Sequence, residues 1–216
     1  MTEKFIRNEQ YNYISKQVAA MRQSTKPHLT PAVRNSIIAL SADRILSCIP
    51  GLTAEQERLL DFTPYKTIEE YDHGLSRLAA YRLPFPEVTD PQLKKLFPKR
   101  KKLKLPDLTE FDLEQTTYLG WNDSRSNRKY LLYILDGRLE GLECSYSPNI
   151  LHNTCSICHQ QGPVTLVTTV TKERKANNPD YYRTIGNFIC TDSIACNRAI
   201  TSTDYLERLF KEALHR

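Results

Sequence analysis

Glycine is scarce in this sequence, and the catalytic motifs that depend on it are missing. The chain of 216 residues has 7 glycines, and this disfavours a glycine-rich loop that cradles phosphates. It also lacks a phosphate-binding loop, a nucleophile elbow and a His-Glu zinc-protease motif. Carboxylates are plentiful, but no pair of them can be placed in a cleft. We therefore expect a binding protein rather than an enzyme, without a small-molecule substrate.

Long hydrophobic runs are also missing. No stretch approaches the ~18 apolar residues of a membrane span, and residues 1–24 lack the apolar run of a signal peptide. We expect a cytoplasmic protein with reduced thiols and no membrane partner. Lysine and arginine exceed the acidic residues by 30 to 25. This mild excess is compatible with an acidic protein partner but does not indicate specific DNA binding.

Apolar residues recur at helical spacing in residues 1–82, which predicts an N-terminal bundle of four helices. Thr30, Thr53 and Thr67 each precede a predicted helix as an N-cap. The prolines of residues 83–86 end the helical pattern, and we place the linker there. The three clearest apolar stripes are Tyr11, Ile14, Val18 and Met21; Val33, Ile37 and Leu40; and Ile68, Tyr71, Leu75 and Leu78.

From about residue 114 the pattern becomes β-prone, so residues 83–216 are predicted to form a mixed α/β domain. Asp136 and Gly137 predict a tight hairpin, a short helix is expected from Asp90, and the chain ends in a helix. The whole chain is therefore predicted to be α+β. The expected strands are 116–119, 129–135, 139–146, 164–170 and 181–190.

Six cysteines are too few for a disulfide scaffold, but four of them form two pairs. Cys155 and Cys158 are separated by two residues, the spacing of a zinc knuckle. Cys190 and Cys196 fit one ligand at a strand end and one in a following helix. This order predicts a treble-clef finger at about residues 151–216, with one structural Zn²⁺ whose four positions are all filled.

The sequence also allows other interpretations of these cysteines. The two pairs could be unrelated reduced thiols, or Cys155 and Cys158 could be a redox pair, although such a motif is expected near a βαβ unit. Cys48 and Cys144 are interpreted as small buried side chains. His152 and His159 are interpreted as exposed loop residues rather than ligands.

Two further segments have two interpretations each. The basic tract at residues 94–104 could dock on an acidic protein or on RNA phosphates, or it could be a solvated face. Trp121 is the single tryptophan and stands beside the polar residues 122–129. It could belong to an exposed contact loop, but the residues favour a core position.

Five short motifs together point to a known family. They are Gln10-Tyr11-Asn12-Tyr13-Ile14, Gly120-Trp121-Asn122, Ser126-Asn127-Arg128-Lys129-Tyr130, the knuckle of Cys155 and Cys158, and the block from Ile189 to Asn197. With these motifs the chain resembles, along nearly its whole length, the FusB-type proteins, which are elongation factor G-binding proteins of Gram-positive bacteria known for fusidic acid resistance.

The resemblance implies a function in which elongation factor G is the partner and the ribosome is involved indirectly. Fusidic acid locks the factor on the ribosome, and the resistance protein binds the factor and promotes its release. The drug is neither modified nor expelled. Such a protein must bind a release-competent state of the factor more tightly than the locked state.

The resemblance also implies a partner-binding surface on the C-terminal domain. Phe188 stands where the family carries an aromatic residue, and Leu209 and Phe210 on the last helix are further candidates by location. Core packing is the alternative for all three. The chain departs from the family pattern at Thr154 and Ile185, so the alternative function is a housekeeping ribosome- or RNA-associated zinc protein without a strong resistance role.

Overall fold

A computed structural model describes residues 3–25, 29–98, 103–173 and 182–215 of the chain. The chain divides into two units, Met1–Pro84 and Phe85–Arg216, and each is described by itself. Within the described ranges, no helix has both the length and the apolar character needed to cross a membrane.

The first unit contains the four predicted helices. The threonines expected to be N-caps take that position, since the side chains of Thr30, Thr53 and Thr67 each accept a hydrogen bond from a backbone N–H of the first turn. These caps fix where the last three helices begin. The helices are α1 (Asn8–Ser24), α2 (Pro31–Ser47), α3 (Ala54–Leu59) and α4 (Ile68–Ala79).

The buried face of α1 is the predicted one, whereas that of α2 is not. Ile14 and Met21 have no exposed surface, but Val33 and Leu40 of the α2 stripe are 46% and 51% exposed. The prediction for α2 was wrong because it counted only apolar residues. The face that packs on the core includes small side chains, and its members are Ile38, Ser41, Ala42 and Ile45.

The second unit is built on an antiparallel sheet of six strands in the order β1-β2-β3-β5-β4, with β6 also paired to β5. Helix α5 (Asp90–Leu96) precedes the sheet, and α6 (Ser193–Ala199) and α7 (Asp204–Leu214) follow it. The strands are β1 (Leu119–Asp123), β2 (Arg128–Leu135), β3 (Arg138–Tyr146), β4 (Leu151–Thr154), β5 (Gln161–Val170) and β6 (Thr184–Cys190).

The hairpin predicted between β2 and β3 is confirmed. Asp136 and Gly137 connect β2 to β3 with φ angles of 50° and 74°, which a two-residue hairpin turn of this kind requires. Several strands differ from the prediction. β1 lies later than the expected 116–119 and includes Trp121, and β4 was not expected. β6 begins at Thr184, and residue 181, where this strand was expected to begin, lies outside the described residues.

The central strands separate two apolar cores. Leu131, Tyr133 and Leu142 point to the face that also contains the paired cysteines, α6 and α7. Tyr130 and Leu132 point to the other face, where Leu93 and Phe97 from the α5 segment and Trp121 cover them. This alternation follows from the period of two in a strand. It places the cysteine pairs on one defined side of the sheet.

Candidate metal centre and the residues around it

Cys155 and Cys158 lie in a tight turn between β4 and β5. Two backbone hydrogen bonds close the turn, from Cys155 N to Gln160 O at 2.9 Å and from His159 N to Cys155 O at 2.8 Å. His159 takes a left-handed φ of 57°, so that the chain can turn back into β5. Both cysteine side chains are buried.

Cys190 and Cys196 reach the same place from a strand end and a helix. Cys190 is the last residue of β6, and Cys196 lies within α6. Between them the carboxylate of Asp192 accepts hydrogen bonds from Ile194 N at 2.8 Å and Ala195 N at 3.1 Å. This cap fixes where α6 begins, and therefore which of its residues faces the knuckle.

The four sulfur atoms form one cluster. All four Sγ atoms lie within 4.8 Å of one another, with 3.9 Å between Cys155 and Cys196 and 3.7 Å between Cys158 and Cys190. A tetrahedron with Zn–S bonds of about 2.3 Å has edges of about 3.8 Å. The donor set and the spacing therefore fit one zinc ion. Because four protein ligands fill its coordination sphere, such an ion stabilises the fold rather than activating water.

The clustered thiols change one another's proton affinity. Hydrogen bonds from Cys158, Cys190 and Cys196 hold the pKa of Cys155 well below its usual range. The pKa of Cys196 is raised, because its thiol is hydrogen-bonded to the sulfur atoms of Cys155, Cys158 and Cys190 and is also buried. A divalent cation among the sulfur atoms allows all four to be thiolates, since its charge offsets their mutual repulsion.

Comparison with known families agrees with this geometry. Residues 97–213, more than half of the chain, match the model described as FBP C-terminal treble-clef zinc-finger. The chain belongs to this family. Residues 5–86 match a second model, described as elongation factor G-binding protein, N-terminal. The zinc site and the treble-clef finger are thereby confirmed, and the partner of the family is elongation factor G, as expected.

A solved structure has the same fold along nearly its whole length. It is that of the fusidic acid resistance protein FusC, with a TM-score of 0.79 and 27% sequence identity, and the match covers 97% of each chain. No curated protein matches this chain. The α+β class predicted from the sequence is confirmed, with its helical N-terminal part and its C-terminal finger.

Asn197 lies in α6 and connects this helix to the backbone just before β1. Its amide oxygen accepts from Thr117 N at 2.8 Å and Tyr118 N at 3.1 Å, and its amide nitrogen donates to Tyr118 O at 2.8 Å and Ser193 O at 3.0 Å. The side chain is buried. All the hydrogen-bonding positions of the amide are thus used, which orients α6 and with it Cys196.

Gly120 lets β1 lie against the same helix. A Cβ atom at this position would collide with Ser193 Oγ and would lie 3.0 Å from Ser193 Cβ and 2.9 Å from Tyr118 Cε2. The role of Asn197 and that of Gly120 were not predicted, although both residues lie in motifs that carry the family resemblance. The sequence does not show that these two motifs meet in space.

The three predicted partner-binding residues have different surroundings. Phe188 is half-buried in β6. Leu209 is 7% exposed and Phe210 is fully buried, with its ring centroid 5.6 Å from that of Tyr133. The burial of Leu209 and Phe210 conflicts with direct contact, because such side chains cannot meet a partner unless the core opens. Both side chains instead lie in the core, which was the alternative interpretation.

Cys48, Cys144, His152 and His159 lie outside the metal cluster. Burial raises the pKa of Cys48 to about 11 and that of Cys144 to about 12, and Cys144 is a core residue as predicted. Cys48 is half-buried against the helical core. His152 and His159 are exposed and lie outside the sulfur cluster. His159 lies in the turn after Cys158 as expected, whereas His152 lies in β4, so the loop position predicted for it was wrong.

The structure shows where Trp121 lies, and it describes part of the basic tract at residues 94–104. Trp121 is 7% exposed, its ring stacks on Tyr130 at 5.1 Å, and its Nε1 donates to Lys104 O at 2.9 Å. The core interpretation is therefore confirmed. Lys94 and Lys95 are exposed on α5. Lys99, Arg100, Lys101 and Lys102 lie outside the described residues. The role of the tract therefore stays a prediction.

Proposed function

We propose that this protein binds elongation factor G, promotes its release from the ribosome in the presence of fusidic acid, and so protects translation. The proposal rests on one observation: a model described as elongation factor G-binding protein, N-terminal, matches residues 5–86 of a chain whose residues 97–213 match the treble-clef zinc-finger model. The similarity to FusC, a fusidic acid resistance protein, supports it. The proposed action needs no catalytic step, and it takes place in the cytoplasm, where ribosomes translate.

One face of the second unit offers apolar surface to such a partner. Leu166 pairs with Phe188 across β5 and β6, so both side chains project from the same face of the sheet. Three apolar residues of this region are well exposed: Leu151 by 49%, Leu166 by 42% and Val170 by 58%. Apolar side chains grouped on one exposed face are typical of a protein–protein contact.

The metal centre also supports a contact role for Phe188. The backbone N–H of Ser156, inside the knuckle, donates to Phe188 O at 2.9 Å, and Cys190 is only two residues further along β6. Zinc coordination therefore holds the backbone of Phe188 in place from two sides. A contact residue fixed before binding loses less conformational entropy on association, which raises affinity.

Binding to purified elongation factor G tests this surface. We expect Phe188→Ala to weaken the complex at least about tenfold, because truncation of an aromatic anchor at an interface removes a large share of the binding energy. Isothermal titration at micromolar protein measures the change. Phe111→Ala is the matched control, since Phe111 is also half-buried but packs on the opposite core of the same unit.

Release from the ribosome needs its own experiment. Elongation factor G locked on ribosomes by fusidic acid sediments with them, and adding this protein should move the factor to the supernatant in proportion to the amount added. Phe188→Ala should shift this dose response to higher concentration. A factor that binds the protein in solution yet stays in the ribosome pellet would contradict release and favour the housekeeping alternative.

A further inference from the structure

Lys129 is a charged residue without access to solvent. It lies in β2, and its exposed fraction is 0%. Its Nζ donates to Asn122 Oδ1 on the neighbouring strand at 3.2 Å. A buried ammonium is strongly unfavourable unless an opposite charge compensates it, and the amide of Asn122 provides only a dipole.

Carboxylates do not provide that compensation. Among the residues that the structure describes, no ion pair involves Lys129. The nearby acidic side chain of Glu143 on β3 interacts instead with Arg128, at 3.5 Å. Alternation along β2 turns Arg128 and Lys129 to opposite faces of the sheet, so Glu143 and Lys129 are on different sides.

Cys144 is the residue opposite Lys129 on β3, and it is not the missing negative charge either. Burial raises the pKa of its thiol to about 12. Cys144 is therefore a neutral thiol near pH 7. The counter-charge has to come from another group on the same face of the sheet.

The metal centre lies on that face. Leu131 and Cys144, which point the same way as Lys129, share one core with Cys155, Cys158 and Cys196. A short chain of hydrogen bonds also leads there. Lys129 donates to Asn122, and Asn122 Nδ2 donates at 3.2 Å to the backbone oxygen of Thr191, the residue directly after Cys190. Burial lowers the pKa of Lys129, the direction expected for an ammonium enclosed in this core.

We propose that Lys129 is the counter-charge of the zinc centre. A zinc ion with four thiolates carries a net charge of about −2, and the ammonium reduces this to about −1 within the same core. The stabilisation is reciprocal, because each charge lowers the cost of burying the other. Asn122 positions the ammonium by linking it to the loop between Cys190 and α6. The proposal does not depend on which partner the protein binds.

The zinc affinity of the full-length chain tests the proposal. Lys129→Gln removes the charge and keeps a group that can hydrogen-bond to Asn122, and Lys129→Met removes both. We expect both variants to raise the zinc dissociation constant about ten- to a hundredfold, the usual effect of losing an outer group that supports a metal site. Competition with a chromophoric chelator measures it. Lys172→Met removes one positive charge from an exposed position of the same unit and should leave the constant unchanged.

Two further readouts separate a charge effect from a packing effect. Absorption of the Co²⁺-substituted protein should still show tetrahedral thiolate coordination in both variants, because the ligands are intact. In urea at a fixed concentration of free zinc, the variants should lose only the stability that their weaker zinc binding accounts for, because the metal stabilises the folded form by mass action. A loss of stability in urea together with an unchanged zinc dissociation constant would overturn the proposal.

Asn122→Asp tests the same idea if the Lys129 variants do not fold. It leaves the lysine in place and gives it a carboxylate of its own, so the ammonium is shared between that carboxylate and the metal centre. We expect weaker zinc binding than in the parent protein. An unchanged zinc dissociation constant for Asn122→Asp would contradict the role assigned to Lys129.

Discussion

Asn197 connects parts of the chain that are far apart in sequence. Its amide bonds to the backbone of Thr117 and Tyr118, which are 80 and 79 residues away, and also to Ser193. None of these buried backbone groups has access to bulk water, so the amide replaces hydrogen bonds that would otherwise be lost. The position of α6 on the sheet thus depends on one side chain.

We expect Asn197→Ala to destabilise the second unit by about 2–4 kcal/mol. The substitution leaves the backbone groups of residues 117 and 118 without this partner, and each unsatisfied buried group costs about 1–3 kcal/mol. Urea unfolding of the zinc-loaded protein measures the loss. Asn149→Ala, at an exposed position, is the control. A loss for Asn197→Ala no larger than that of the control would contradict the role of the amide.

The four zinc ligands were predictable from sequence, whereas Asn197 and Lys129 were not. Ligand spacing in a knuckle is a local property, so Cys155 and Cys158 are recognisable without knowledge of the fold. Asn197 and Lys129 matter because of residues brought close by the tertiary structure. Their residue types alone predict solvent exposure, and only the fold shows that both are buried.

Among the elements, those defined by turns and caps were predicted best. The hairpin at Asp136 and the helix starts at Thr30 and Thr67 have local chemical causes. The orientation of α2 has no such cause, because it depends on tertiary packing. Its buried side includes the small residues Ser41 and Ala42, and a count of large apolar residues does not detect them.

The contact between β1 and α6 gives a prediction for a single element. We expect Gly120→Ala to cost about 1–3 kcal/mol, because the added methyl group collides with Ser193 and Tyr118 in a packed core. Thermal unfolding measures the cost. Gly162→Ala in β5 is the matched control, since a Cβ at Gly162 has no atom within 4 Å. Equal melting temperatures for the two variants would contradict the close packing of β1 on α6.

At the scale of the whole molecule, we propose that the two units are separate domains, with the boundary that the sequence places at residues 82 and 83. Each unit has its own apolar core, centred on residues such as Ile14 and Tyr71 in the first and Leu131 and Phe210 in the second. The metal lies in the second unit only. Its removal should therefore affect the two units differently.

We expect zinc chelation, or Cys190→Ser, to abolish the unfolding transition of the second unit while much of the helical signal of the first remains. Metal binding and folding are coupled in finger modules, since the thiolates repel one another without the ion. Circular dichroism melts at 222 nm, with zinc quantified in parallel, measure both effects. Cys48→Ser, outside the cluster, should retain one zinc per chain. An unchanged melt in chelator would contradict a structural role for the metal.

We propose that the protein protects translation by acting on elongation factor G. The most direct measurement is the rate of protein synthesis in a purified translation system stopped by fusidic acid. We predict that adding the zinc-loaded protein restores synthesis in a dose-dependent way, and that Phe188→Ala requires a higher concentration. Synthesis that stays blocked when the protein saturates elongation factor G would contradict the proposed function.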